Sequence, residues 1–276
     1  MAEIKAADVA KLRKMTGAGM MDCKKALSET NGDFDLAIDI LRKKGQKVAS
    51  NRADREATEG AVVAGVSADS KFSAIIVLNC ETDFVAKNDD FVKFAKNILN
   101  IAIEKKPASL DELRNLELNG IKIADEITNQ IGVIGEKIDL SYFDSVSSDY
   151  TISYIHPGNK LATIAGFNMA DVDLQVAKDV AMQIAAMNPI AVDQDGVDQS
   201  IIEKEIEIGK DQAIQEGKAV ELAEKIAIGK LNKFYKESTL LNQQFVKDNK
   251  ITVNEYLKNQ NKNLTVTSFK RYALDV

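Results

Sequence analysis

The sequence predicts an α+β protein. A three-helix module occupies residues 1–45 and a polar linker residues 46–60. Two related α+β subdomains follow at 61–145 and 146–276, the second carrying an inserted helical hairpin at about 198–236. Three observations support this. A breaker cluster, Thr16-Gly17-Ala18-Gly19, separates two short helical patterns near the start. An apolar hairpin followed by an amphipathic helix occurs twice, at 61–105 and 150–187. From Asp198 to Lys236 apolar and charged residues alternate at helical spacing, with Gly217 near the middle.

The elements follow in order. Ile4, Val9, Leu12 and Met15 recur at helical spacing before the breaker cluster; Met20 or Met21, Cys23 and Leu27 do so after it. Asn31-Gly32-Asp33 stops the second helix and starts a third, with Phe34, Ala37, Ile38 and Leu41 on one face and Gly45 as its stop. Adjacent methionines on a helix point about 100° apart, so Met20 and Met21 cannot both fill so thin a core. One of them offers its flexible thioether to solvent or to a partner. Residues 45–60 are polar and poor in large apolar side chains, a partly helical linker.

Strands at 61–66 and 72–79 are joined by the turn Ser67-Ala68-Asp69-Ser70. A loop at 80–87 comes next. Asn88 then caps a helix over 89–105, with Asp89 and Asp90 in its first turn and Phe91, Phe94, Ala95, Ile98 and Leu99 as its buried stripe. Residues 108–135 read as mostly helical and 137–143 as a strand. A second hairpin, 150–155 and 161–167, turns through His156-Pro157-Gly158-Asn159-Lys160, and a helix over 174–187 ends before Pro189. The two helices of 198–236 either protrude or lie flat on the core. A helix at 253–259 and a strand at 264–272 close the chain.

Composition narrows the function. The chain has 276 residues and a net charge of −6, so no global basic field draws it to nucleic acid. Residues 1–56 nevertheless hold more Lys and Arg than Asp and Glu, either a solvated helical face or a docking surface for an acidic partner. The two cysteines, Cys23 and Cys80, have no neighbours at metal-ligand spacing and make no disulfide framework, which fits a reducing cytosol. The N-terminus enters a helix without a signal-like apolar core, and no apolar run approaches the ~18 residues a membrane span needs.

Catalytic parts are scarce. The sequence contains no P-loop, no G-x-G-x-x-G and no G-x-S-x-G, and only one histidine. Carboxylate pairs such as Asp89-Asp90 read as caps. The loop ETDFVAKND differs, since it follows a buried strand and precedes a helix, where functional side chains concentrate. Two readings stay open there. Either Phe84 and Val85 close the core while Asp83 caps an amide, or Phe84 projects as a rigid aromatic wedge beside a carboxylate. His156 is either plain turn surface or the tip of a stiff loop that inserts into a partner. Two rival functions follow from the residues alone: a peptide-binding adaptor working through Met20 and Met21, or an enzyme using Asp83 as a base.

At this point the residues carry a resemblance. LRKMTGAGMMDCKKAL with ETNGDFDLAIDILRKKG resembles the N-terminal module of the bacterial elongation factor Ts family, and LNCETDFVAKND resembles that family's second signature. SYIHPGNKLATI, KDVAMQIAAMNP and EKIAIGKLNKFYKESTLLNQQFVKD match its later half more loosely, so the resemblance covers essentially the whole chain. It implies a ubiquitin-associated-like fold for the three-helix module. It also implies guanine nucleotide exchange on elongation factor Tu in the cytoplasm, with no enzyme chemistry and no cofactor or metal. The implied partner is that protein GTPase alone, without nucleic acid, membrane or small-molecule substrate.

Carried over by motif, Leu12, Met20 and Met21 contact the GTPase's nucleotide-binding domain, and Thr82, Asp83, Phe84 and Val85 intrude beside its magnesium site. His156 is a weaker contact with another part of the partner. Lys160-Leu161-Ala162-Thr163 departs from the small-residue pattern of the family's hairpin. Some relatives carry a further C-terminal helical module, a contact expected to be absent or replaced here.

Overall fold

The computed structural model describes residues 4–274. Helix α1 (Ala6–Thr16) stops at the breaker cluster. Gly17 adopts φ 70° and its N–H bonds back to the Arg13 carbonyl, a left-handed cap that glycine reaches without side-chain strain. α2 (Met20–Glu29) and α3 (Phe34–Asn51) follow, α3 capped by the Asp33 carboxylate, which accepts the Leu36 N–H at 3.0 Å. Val9, Leu12, Cys23, Ala26, Leu27 and Ala37 form a small core among the three helices. Met15, Met20 and Met21 are all exposed, so neither of the adjacent methionines enters it.

The first hairpin is β1 (Glu59–Val66) and β2 (Phe72–Cys80). A single turn of helix, α4 (Asp83–Ala86), leads into α5 (Asp89–Lys105). Then come α6 (Leu110–Asn115), a two-residue ladder of β3 (Glu117–Leu118) with β4 (Ile121–Lys122), α7 (Ile123–Ile134) and β5 (Asp139–Ser147). The second hairpin is β6 (Tyr150–Ile155) and β7 (Leu161–Phe167), followed by α8 (Leu174–Met187). Beyond it lie α9 (Gln199–Gln215), α10 (Val220–Ser238), the small hairpin of β8 (Gln244–Phe245) and β9 (Asp248–Thr252), α11 (Val253–Gln260) and β10 (Val266–Ala273).

Two antiparallel three-stranded sheets stand at the centre, ordered β1-β2-β5 and β10-β7-β6. Alternate residues of β1 and β2 face opposite ways, as the pleat requires. Ala61, Val63, Ile76 and Leu78 pack with Phe94, Ile98 and Leu99 of α5 and Ile127 and Ile131 of α7. Val62, Ala64, Ile75 and Val77 pack with Ala162 and Ile164 of the second sheet. β2 is therefore buried along its whole length, which is why its centre is continuously apolar rather than alternating. The far face of the second sheet, through Ala165 and Phe167, lies under Val180, Ala181 and Ile184 of α8. The layers run helix, sheet, sheet, helix.

The segment from β8 to α11 is bound to α8 through the buried Asp179 carboxylate. Asp179 accepts from Lys247 at 2.6 Å, from the Tyr256 hydroxyl at 2.9 Å and from Gln175 at 2.7 Å. Burial alone would raise its carboxyl; these three donors together outweigh that and hold it low. α9 and α10 pack on each other through Gly209, Ala213, Ala223 and Ala227, while Ile208, Ile214, Leu222 and Ile228 stay exposed.

The reading of Gly45 as a helix stop is corrected. Gly45 does not stop α3, which continues to Asn51. Gly45 instead marks a crossing with α7. A methyl added at Gly132 would lie 2.6 Å from the Gly45 Cα, and one at Gly45 would lie 3.0 Å from the Thr128 carbonyl oxygen. Two glycines let the backbones meet, and α3 thereby seats the N-terminal module on the first sheet's helical layer. The short α4, β3, β4, β8 and β9 also lie outside the sequence expectations.

Gly132→Ala is expected to destabilise the protein by about 1–3 kcal/mol through overpacking at this crossing. Gly229→Ala serves as its opposite. That helical position meets nothing within 4 Å, so the methyl is expected to stabilise by about 0.5–1 kcal/mol through helix propensity. Chemical denaturation of the two variants checks both signs.

Candidate partner interface

The corner after β2 is built by carboxylates. β2 ends at Cys80, whose buried thiol donates to the Thr82 carbonyl at 3.2 Å. Burial, reinforced by the nearby Glu136 carboxylate, pushes this thiol up to about 12, so it stays protonated and unreactive. Glu136, in the connection between α7 and β5, accepts the N–H groups of Glu81 and Thr82 on one oxygen, both at 3.1 Å. Its other oxygen accepts the Thr82 hydroxyl at 2.6 Å.

Glu81 turns towards the end of α3. Its carboxylate accepts from the Lys137 N–H at 2.6 Å and pairs with both oxygens on Arg52, at 2.7 and 2.9 Å. The Lys137 amide first, and the Arg52 guanidinium after it, hold this carboxyl below its usual range. The Lys137 ammonium donates to the carbonyls of Ala53 and Arg55, each at 2.8 Å. The stretch following α3 is thereby tied to the root of α4.

Thr82 then caps α4. Its hydroxyl accepts the Val85 N–H at 3.4 Å, and its carbonyl accepts the Ala86 N–H at 3.2 Å. The Asn88 N–H bonds to the Val85 carbonyl, and the Asn88 side chain caps α5 by accepting from Asp90 at 2.8 Å. The expected loop is thus one helical turn closed at both ends.

Its side chains diverge at about 100° per residue. Phe84 is 82% exposed, while Val85 is half-buried against the first core and Ala86 is buried. Of the two readings left open by the sequence, the structure shows the projecting aromatic; Val85 and Ala86 close the core instead. Asp83 meets Lys87 at 2.6 Å in solvent, and this hydrogen bond holds the carboxyl low and the ammonium high. Such an exposed pair adds little to stability.

On the N-terminal module Met20 is 56% and Met21 75% exposed. Leu12, expected as a contact, is 0% exposed. It packs with Val9, Cys23 and Leu27, so it shapes the module rather than touching anything outside. Met15, assigned by its spacing to the buried stripe, is 57% exposed and joins the exposed set. A groove of about 490 Å³ separates module and tip, lined by Gly17 on one side, Val85 and Phe91 on the other, and Val133 and Ile134 of α7.

His156 is exposed at the start of the β6–β7 turn, with Nδ1 3.1 Å from the Tyr154 hydroxyl. Lys160, at the end of that turn, lies 3.2 Å from the Glu59 carboxylate. Glu59 faces Cys80 across the ladder, so the second turn and α4 share one end of the paired sheets. Among the described residues no group of three or more His, Cys, Asp or Glu side chains is placed to hold a metal ion, and no helix is long and apolar enough to cross a membrane.

The family described as elongation factor TS matches residues 81–275. Elongation factor Ts of Porphyromonas gingivalis is 56% identical over 270 residues, 97% of this chain and 97% of the relative. Elongation factor Ts of Flavobacterium psychrophilum is 54% identical over 275 residues, 99% of this chain and all of the relative. That of Christiangramia forsetii is 52% identical over the same share of each chain. Exposed methionines beside a Gly17 turn and a braced aromatic tip thus sit in a chain matched from end to end, and the chain belongs to the elongation factor Ts family.

Proposed function

We propose that this chain, a nucleotide exchange factor for elongation factor Tu in translation elongation, releases GDP by pressing the tip of α4 into the GTPase beside its magnesium and phosphate site. The observation that carries this reading is Phe84, 82% exposed on a turn whose root is held by Glu136 and Glu81. A large apolar side chain kept in water on a rigid support costs free energy in the isolated protein, and burial in a partner recovers it. Asp83, directly before it, brings a negative charge to a place where a magnesium ion dominates the local field. Met20 and Met21 are the adaptable apolar contacts of the module. His156 is a further contact at the same end of the sheets. The three-helix module is ubiquitin-associated-like, and the two hairpin-plus-helix units are related subdomains with α9 and α10 as an insertion.

Exchange of this kind needs no nucleophile and no general base. A factor that binds the empty GTPase better than the nucleotide-bound form must weaken nucleotide binding by the same ratio. Each 1.4 kcal/mol of antagonism is about tenfold in affinity. The direction of exchange is then set by the nucleotide concentrations, and the factor leaves unchanged.

Phe84→Ala is expected to lower the maximal rate of GDP release from elongation factor Tu about tenfold, a barrier change near 1.4 kcal/mol, while affinity for the GDP-bound GTPase shifts by less than about threefold. Stopped-flow release of a fluorescent GDP analogue over a range of factor concentrations separates the two quantities; wild-type release from the variant would remove the tip from the mechanism. Deletion of residues 1–50 is expected to weaken association at least tenfold while cooperative melting persists, since the paired sheets keep their own core. Calorimetric titration together with circular dichroism melting checks this, and global unfolding would count against a separable docking module.

A further inference from the structure

We infer that Glu136 is a positioning residue for exchange: by gathering three donors from Glu81 and Thr82 it sets the direction in which Phe84 points. The inference rests on the reading of α4 as the exchange tip and extends it to a residue outside the Thr82–Val85 motif.

The physical ground is the length of α4. Its four residues form a single turn, and a single turn fixes more backbone dihedrals than its hydrogen bonds repay, so it does not hold itself in water. Its order must come from outside. Thr82 is the hinge of the problem. It stands at φ −122° and ψ 151°, extended, immediately before the helical residues. Those two angles set the axis of the turn and hence the bearing of Phe84.

Glu136 holds this hinge from both sides of the Glu81–Thr82 peptide bond, through the two amides at 3.1 Å and the Thr82 hydroxyl at 2.6 Å. All three are hydrogen bonds to a carboxylate, the stronger kind. The support is itself fixed. Gly135, at φ 81°, ends α7 by bonding back to Ile131, and Ile138 is buried in the first core. Neighbouring Lys137 is held through both its amide and its ammonium. The Glu136 carboxylate is therefore a rigid post between α7 and β5. Glu136 bonds the root of the turn at Glu81 and Thr82, so its loss alters the bearing and order of Phe84 without removing Phe84 itself.

A tip that is already ordered loses less freedom on insertion. Without the post, only the fraction of molecules with Phe84 aimed correctly drives release, while Met20, Met21 and the second hairpin still hold the GTPase.

The test uses the full chain with GDP release measured against factor concentration, and amide hydrogen exchange read at Glu81 and Thr82. Glu136→Ala is expected to lower the maximal release rate about three- to tenfold, to leave the half-saturating concentration within about twofold, and to speed exchange of both amides. Glu136→Gln keeps one acceptor oxygen for the two amides and is expected to restore most of the rate, a rescue that general loosening of the fold would not produce. Should Glu136→Ala fail to fold, Glu136→Asp decides: it keeps the charge but withdraws the carboxylate by one methylene. Slowed maximal release supports the inference and unchanged release overturns it. Phe84→Ala runs alongside. Fast amide exchange with wild-type release in Glu136→Ala, while Phe84→Ala remains slow, overturns the positioning role and leaves the tip reading standing. Wild-type release from Phe84→Ala overturns the tip reading and this inference with it.

Discussion

The structure depends on the corner where β2 gives way to α4. Two carboxylates meet there with opposite tasks. Glu81 leaves the corner to accept from Lys137 and to pair with Arg52, and so fastens the end of α3 to the core. Glu136 enters the corner and takes up the part-buried amides of Glu81 and Thr82. Backbone donors at a strand end must find acceptors, because an unmet buried amide costs about as much as a lost hydrogen bond. Here the acceptors come from a different part of the chain, so satisfying the backbone also locks three elements together. The N-terminal module is tied to the same corner by its own route, since α3 crosses α7 at Gly45 and Gly132 and then runs on to Arg52.

The sequence spelled out elements that announce themselves locally. The second hairpin and α8 occupy the residues read from the sequence, because alternation, a Pro-Gly-Asn turn and a helical stripe all lie within a few residues of one another. Gly45 shows where this stops. A glycine that caps a helix and a glycine that admits another backbone look identical in sequence; the difference is made by Gly132, a distant residue. The turn at α4 was hidden by its length, since four residues carry no period. Whether Phe84 points in or out depends on the bearing of that turn, whose root is bonded by Glu136 and, through Glu81, by Lys137 and Arg52, all far away in the chain. The spacing of Leu12 marks a helical face, but whether that face meets a partner or α2 is a tertiary fact. Nothing local marks β8, whose Gln244 carbonyl is held by Gln183 of α8 at 3.1 Å and whose Phe245 lies in the core beneath that helix.

The proposed division of labour between module and tip has an energetic logic. Affinity and work are best separated in an exchange factor. Contacts made equally with every state of the GTPase raise affinity without favouring release, since only differential binding shifts an equilibrium. The module, with thioethers that adapt to different surfaces, suits uniform contact. The tip suits the opposite role. It is small and carries one exposed aromatic and one carboxylate, so on the proposed reading it gains contacts only where the nucleotide site has opened.

That separation also explains why stiffness is placed where it is. A flexible tip could reach the nucleotide site but would yield when resisted, returning the strain to its own backbone. A tip fixed at both ends, by the carboxylate post at Thr82 and by the Asn88 cap that starts α5, cannot yield in this way. The burial of β2 on both faces carries the argument one layer deeper. The corner is the end of the most enclosed strand in the molecule's first sheet, so a force on Phe84 is met by two packed layers rather than by a loop. On the proposed reading, resistance in the factor leaves the accommodation to the GTPase.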